Sequence, residues 1–419
     1  MCIAPGSRPW NVAPYPPPLA ALTMSLPLLA LFLAAFAFGT AEFVIAGVLP
    51  DVALGLGVSI PVAGYLVSGY AIGIAIGGPA LAVLSKKMNR KLLVILLGIG
   101  FTLGQALCAI APNFELLLLA RVFVSVLHGA YFGIAFVLAT SIVPPERRGF
   151  AMALILSGLT VSNVLGVPGG TAIGTMLGWR ATFWAVGLLG LAATLVIAAV
   201  LPARAGSGAA QGSFRREFAA LGRQQVFLGF LIAILVMTGQ YSLFTYIAPL
   251  LLTVTGVGSQ AIPIILLLFG VGATVGVFIG GRLADWRLMP SLIAILTLQT
   301  TLFVSLYFAA PYSVPMSIAV ILWGGATFAF GSPLQSRMLL WAADGPNLTS
   351  ALIPAGFNIG IAVGAVLGAA LIEAGLGYQA LPLIGAVSLA FAVVIAAFSA
   401  FLERRSSTVP PLPAGVPAQ

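Results

Sequence analysis

Three ionisable side chains stand inside long apolar stretches: Glu42 within LPLLALFLAAFAFGTAEFVIAGVLP (26–50), and Arg121 and His128 within the stretch 114–140. At the middle of a bilayer such a group costs roughly 2.5 to 3.5 kcal/mol on insertion scales, so each should face protein or a watery cavity rather than lipid. At 1.5 Å per residue, Glu42 sits about 12 Å from the end of its run at Pro50, and Arg121 about 10 Å from the start of its own at Phe114. The two are therefore at matching depth. A buried carboxylate and guanidinium lower each other's cost, which predicts a Glu42–Arg121 pair, direct or through water. That pair is either structural or a site where a proton is exchanged for a solute. Arg121, Ser125, His128 and Phe132 follow the spacing i, i+4, i+7, i+11 and share one helix face. His128 is the sole histidine. It is a candidate proton relay because imidazole titrates near neutral when unperturbed; a histidine held by a hydrogen bond to a neighbour is the structural alternative.

Asn163, Gln240, Tyr246, Gln335 and Asn358 are further polar groups in apolar stretches. They are candidate solute contacts, with interhelical hydrogen bonds, worth on the order of 0.6 kcal/mol each, as the alternative. Enzyme chemistry fails on inventory. None of Lys86, Lys87 and Lys91 follows a glycine, so no phosphate-binding loop can form, and a single histidine excludes a zinc HExxH motif. Of the two cysteines, Cys2 is in a polar tail and Cys108 in an apolar run, so no disulfide, thiolate metal site or redox cofactor is expected. The net charge of +9 is dealt out in small groups between apolar runs, which argues against a nucleic-acid surface.

What must position these groups is a bundle of membrane spans. The chain has 419 residues, 61% hydrophobic and 6% charged, against roughly 25% charged in soluble domains. Polar punctuation divides it into twelve expected helices, near 26–49, 60–84, 91–112, 114–140, 150–175, 180–202, 226–252, 261–284, 288–310, 313–340, 349–373 and 379–402. All lysines and arginines except Arg121 and Arg180 fall in the tails or the even-numbered connections, which predicts cytoplasmic termini and a cytoplasmic central loop. The expected organisation is a disordered tail 1–24, a six-helix bundle 25–202, a linker 203–225, a second bundle 226–402 and a tail 403–419. The proline-rich start is a poor signal peptide, and Met24 is a second candidate start.

The halves echo each other. Gly57-Val58-Ser59-Ile60-Pro61 leads to Gly77-Gly78, and Gly256-Val257-Gly258-Ser259 with Ile262-Pro263 leads to Gly280-Gly281. Internal repeats in a hydrophobic chain point to a transporter with a site between two bundles. The fifth helix carries Gly158, Ser162, Gly166, Gly170 and Gly174 and the eleventh Gly356, Gly360, Gly364 and Gly368. Four-residue steps put small residues on one face, where backbones approach closely; occurrence in both halves predicts a seam along which the halves rock.

GTAEF (39–43), GVLP (47–50), ARVFVSVLHG (120–129), GVPGG with Pro168 (166–170), GWRATF (178–183), FTYIAP (244–249) and FNIG (357–360), in this order and spacing, resemble the major facilitator superfamily. The likeness is to its twelve-helix drug/proton antiporters of the arabinose-efflux-permease-like bacterial branch, over about residues 26–402. The loop LSKKMNRK (84–91) departs from that family, with Lys86 where an aspartate is expected and Asn89 where a glycine is; its counterpart GGRLADWR (280–287) keeps Asp285. Lys86, Arg90 and Asp285 are gating candidates by this resemblance, and positive-inside anchoring also accounts for the basic ones.

The expected fold is thus all-α, two six-helix bundles in the inner membrane. The expected function is secondary active efflux of a small neutral or weakly polar solute, a drug, sugar or nucleoside, coupled to protons by alternating access in a monomer. An uptake permease or uniporter of the same fold is the alternative, and a channel a more distant one.

Overall fold

The computed structural model describes residues 25–85, 87–203, 205–206, 219–343 and 346–405. The expected tail 1–24, most of the linker, residues beyond Arg405 and Lys86 lie outside the described residues. Among the described residues no strand occurs, and twelve helices are long and apolar enough to cross a bilayer. They are α1 (Leu26–Phe43, continued by Ile45–Leu56), α2 (Ile60–Leu81), α3 (Arg90–Ile110), α4 (Phe114–Ser141), α5 (Pro145–Leu177), α6 (Trp179–Val200), α7 (Gln224–Thr253), α8 (Ser259–Trp286), α9 (Leu288–Ala309), α10 (Ser313–Trp341), α11 (Leu348–Glu373) and α12 (Tyr378–Arg405).

Hydrocarbon offers no partner to backbone polar groups, so each run closes its hydrogen bonds internally as a helix. Polar residues mark the starts: the side chains of Ser59, Asn89 and Asn113 accept from the N–H groups of Val62, Leu92 and Leu116 at 3.4, 3.1 and 3.0 Å, satisfying donors that the first turn leaves open. Gly57, at φ 65°, ends the second piece of α1 in a left-handed turn that a side chain would strain. Leu96, Ile99, Leu103 and Leu107 of α3 and Phe391, Val394 and Phe398 of α12 are exposed, an apolar rim suited to lipid tails.

The glycine seams hold each half together instead of separating the halves. A Cβ placed on Gly158 of α5 would meet Ala35 of α1 at 2.7 Å, and those on Gly166, Gly170 and Gly174 would meet Thr40, Val44 and Val48 in turn. On α11 the same construction runs Gly356 into Phe230, Gly360 into Met237 and Gly364 into Thr238 of α7. The expected sliding seam between halves is therefore corrected: one glycine face per helix exists, and each is used against a helix of its own half. Close approach across the halves falls elsewhere: a Cβ on Gly270 of α8 would lie 2.7 Å from Cα of Val164 in α5, and one on Gly64 of α2 would run into the Tyr246 ring of α7.

The halves join through Ile45–Leu56 against Ile247–Thr253, Ile60–Ile72 against α11, and Ser162–Leu177 against α8. All of these lie toward the membrane face opposite the chain termini. On the termini side the ends of α7, α10 and α12, all of the second half, meet one another. There Arg337, read from the sequence as a loop charge, is 1% exposed inside α10; its Nη2 donates to Gln225 Oε1 at 2.7 Å and to Glu403 Oε2 at 3.1 Å. It reaches its partners because α7 and α12 end beside it.

Candidate functional site

Two helices break at the same level, one in each half. α1 breaks at Val44 and α7 at Thr245 and Tyr246. Proline continues the disruption: Pro50 and Pro249 have no N–H for the carbonyls of Ala46 and Thr245 four residues earlier. Between the breaks lies a small cavity, with Glu42, Phe43 and Tyr70 on the wall from the first half and Tyr241, Phe244 and Thr245 on the wall from the second. Glu42 is the charged member of that wall.

Glu42 and His128 approach to 3.8 Å, Oε2 to Nε2, with side chains 12% and 4% exposed. The other imidazole nitrogen, Nδ1, is 3.1 Å from the hydroxyl of Tyr70. Phe38 and Phe132 pack on the imidazole at ring-centroid distances of 5.3 and 5.4 Å. Of the expected α4 stripe, Arg121, Ser125 and His128 are buried, while Ser125 donates to the Val122 carbonyl of its own helix at 2.8 Å.

Of the two forms expected for the Glu42–Arg121 pair, the direct one is not formed. Arg121 Nε donates to the Leu66 carbonyl at 3.2 Å and its Nη1 to the Ala41 carbonyl at 3.1 Å, and the guanidinium stands 4.5 Å over the Tyr70 ring. It forms no direct ion pair with Glu42, although the two charges interact at longer range. Arg121 and His128 lie seven residues, about 10 Å, apart on one face of α4, so a carboxylate 3.8 Å from His128 is drawn away from a guanidinium held at Ala41 and Leu66.

A family profile described as Major Facilitator Superfamily matches residues 31–343. The inner membrane transport protein YdhP of Escherichia coli (strain K12) is 39% identical over 380 residues, 90% of this chain and 97% of that one. This chain belongs to the major facilitator superfamily. The chloramphenicol resistance protein of Streptomyces lividans is 36% identical over 348 residues, 83% of this chain and 89% of the relative. The putative transporter AraJ of Escherichia coli (strain K12) is 30% identical over 354 residues, 84% and 89% of the two chains. Among solved structures, a bacterial homolog to human lysosomal transporter Spinster, in inward-facing and unoccupied conformation, superposes with a TM-score of 0.71 at 20% identity, covering 90% of this chain and 96% of that one. The fold is that of a major facilitator, and the protein is a multi-pass inner membrane transporter for small molecules.

Within this major facilitator fold the remaining candidates scatter. Gln240 has its side chain fully engaged inside the second half: its Oε1 accepts from Trp323 Nε1 and from Thr327 Oγ1, and its amide donates to Gln299 Oε1 at 3.1 Å. Gln299 in turn donates to the Ala326 carbonyl at 2.6 Å and completes this network. Tyr246 is buried away from the cavity wall, donating to the Ala365 carbonyl at 2.8 Å. Thr245, one residue earlier, is the member of FTYIAP with Phe244 that reaches the cavity. Asn163 donates to Leu159 O at 3.0 Å within the π-helical turn Ser162–Gly166. Asn358 donates to Pro354 O at 3.0 Å, and its buried Oδ1 has no protein partner. Gln335 is half-buried on the termini side of α10.

The loop candidates stay on their own half. Lys91 Nζ donates to Leu201 O at 2.6 Å and Asn89 Nδ2 to Ala203 O at 3.3 Å, tying the loop to the end of α6, while the Arg90 stem packs at Gly206. Asp285 is exposed at the end of α8. Tyr70, Tyr241, Phe244 and Thr245 escaped the sequence reading. Phe244 carries no polarity signal and a hydroxyl in an apolar run does not say which way it faces, so only the helix breaks at Pro50 and Pro249 could have pointed to this level of the chain.

Proposed function

We propose that this chain is a proton-coupled exporter of a small neutral or weakly polar solute, working as a monomer by alternating access. The observation that carries the reading is the position of Glu42: a carboxyl at a cavity between the halves, at a helix break, within reach of His128 and Arg121. A charge there is costly and defaults to function. Glu42 accepts a proton from one side of the membrane, and solute arriving from the other favours its release. The basic residues at the tails and even-numbered connections assign the termini to the cytoplasm, so the joined face is external and the halves part toward the cytoplasm. One proton crossing 100 mV supplies about 2.3 kcal/mol, enough for a roughly 50-fold gradient of a neutral solute.

The test is in everted membrane vesicles carrying a pH-sensitive dye and energised to an acidic lumen. Chloramphenicol is the first probe because the Streptomyces lividans relative is named for resistance to it; a pentose and a purine nucleoside follow. Addition of a transported probe should release protons from the lumen in the wild type and not in Glu42→Gln. Probe movement without proton movement would identify a uniporter instead.

A further inference from the structure

We propose that Tyr70 is a positioning residue for proton coupling, its hydroxyl selecting the imidazole tautomer that His128 presents to Glu42. The proposal rests on the reading of Glu42 as proton carrier, but its geometry stands on separate observations. Tyr70 and His128 are 1% and 3% exposed, so water does not compete freely for their contact. A neutral imidazole has one N–H donor and one bare acceptor nitrogen, and which is which follows from the partners on each side. Tyr70 stands 3.1 Å from Nδ1 and Glu42 3.8 Å from Nε2.

When Glu42 is ionised, the two partners agree on one arrangement. A phenol O–H donating to Nδ1 leaves the imidazole proton on Nε2, directed at the carboxylate. In the reverse tautomer a bare Nε2 lone pair would face ionised Glu42. At 3.8 Å the Nε2–H and carboxylate attract as charge and dipole, short of a hydrogen bond, and a movement of under about 1 Å converts one into the other.

The rest of the surroundings leaves Tyr70 little freedom to do otherwise. Arg121 lies over its ring at 4.5 Å, and the ring meets the imidazole edge-on at a centroid distance of 5.8 Å. The other ionisable groups facing this cluster are Cys108 from α3, which interacts with Tyr70 electrostatically, Tyr241 from α7, which does so with Glu42, and Tyr131 of α4. Tyr131 is engaged with the Leu31 carbonyl at 2.5 Å. Tyr70 is thus the residue that touches both Arg121 and His128, the two α4 groups that bear on Glu42.

The chain has a single histidine, so protein labelled with ¹⁵N-histidine and purified through a tag free of histidine gives one imidazole in a nitrogen NMR spectrum. In lipid nanodiscs above the pH midpoint of proton release, where Glu42 is ionised, the wild type should show the Nε2–H tautomer. Tyr70→Phe keeps the ring beneath Arg121 and should yield a mixture of tautomers. It should also move the pH midpoint of chloramphenicol-driven proton release upward, because a carboxylate that has lost a facing N–H holds its proton to higher pH. Tyr131→Phe is the control and should leave the tautomer unchanged. A wild type in the Nδ1–H form overturns the proposal, and this arm needs no variant to fold. So does a pure Nε2–H tautomer in Tyr70→Phe. Proton release that survives Glu42→Gln would instead sink the carrier reading, leaving the spectra to judge Tyr70 separately.

Discussion

Arg121 holds the carbonyl of Ala41, the residue immediately before Glu42, at 3.1 Å. The guanidinium therefore fixes the course of α1 and sets the direction of the carboxylate, without neutralising it by direct contact. The two arrangements differ in how mutations combine. In a direct ion pair, Glu42→Gln strands a buried charge at a cost of roughly 3 to 5 kcal/mol, and adding Arg121→Gln recovers it. In the clamp, Arg121→Gln removes donors from two buried carbonyls, at roughly 1 to 3 kcal/mol each, and adding Glu42→Gln recovers nothing. Melting temperatures of both single variants and the double variant give the coupling energy. We expect the double variant to melt no higher than Arg121→Gln.

Gly270 is the position where bulk should be felt between the halves. A side chain there meets the backbone of α5 at Val164, which cannot rotate away, so Gly270→Leu should wedge α8 off α5 and loosen the joined face. In a background lacking other cysteines, Thr245→Cys should then react faster with a membrane-impermeant maleimide applied from outside. Gly169→Leu, at a site where an added Cβ meets nothing within 4 Å, should leave that rate unchanged. Equal rates in both would mean that the α5–α8 crossing does not close the cavity.

What the sequence made legible was set by hydrophobicity, and what it hid was set by rotation. Twelve apolar runs between polar caps were readable because lipid permits no alternative to a helix, and their ends agree with the helices within a few residues except in the first, which breaks at Val44 and continues past 49 to Leu56. The depth match of Glu42 and Arg121 was readable too, since rise per residue is fixed. Their direct pairing was not, because depth says nothing of the angle around α1. The same angle separates Tyr246, chosen from its polarity, from Thr245, which reaches the cavity. The Glu42–His128 approach depended on where α1 meets α4, information that no local pattern holds. Arg337 misled for a related reason: a charge near a helix end reads as solvated until the ends of α7 and α12 close around it.

That Arg337 site gives a stability test. Glu403 is its ion-pair partner at 3.1 Å, with Glu403 27% exposed, so water screens part of the charge. Glu403→Gln should lower the melting temperature by an amount equivalent to roughly 1 to 2 kcal/mol, less than for a fully buried pair. Arg337→Gln should cost at least as much, whereas Arg337→Met, filling the same volume without a charge, should cost less than Arg337→Gln. If Arg337→Met is the worse of the two, the site depends on the charge itself.

The assignment of the termini to the cytoplasm can be tested at Arg405, the last described residue of α12. Arg405→Cys, in a background lacking other cysteines, should resist an impermeant maleimide in intact cells and react after permeabilisation. Labelling in intact cells would reverse the orientation, and with it the side toward which the halves part.

The proposal that proton and solute meet at Glu42 fixes the form of the pH dependence. If protonation of Glu42 and solute binding exclude each other, apparent affinity rises with pH while the carboxyl is losing its proton. It becomes level once the group is ionised, because above that point each binding event releases no proton. The limiting slope is one decade of Kd per pH unit for a single exchanged proton. Glu42→Gln carries no removable proton at that position, so its affinity should be flat across the same range and weaker than that of the wild type at high pH. Isothermal titration with chloramphenicol, or with whichever probe drives proton release in vesicles, run in buffers of different ionisation enthalpy, measures both the slope and the number of protons released. A slope retained in Glu42→Gln would move the titrating group elsewhere, and His128→Gln in the same assay would then decide whether the imidazole carries the proton.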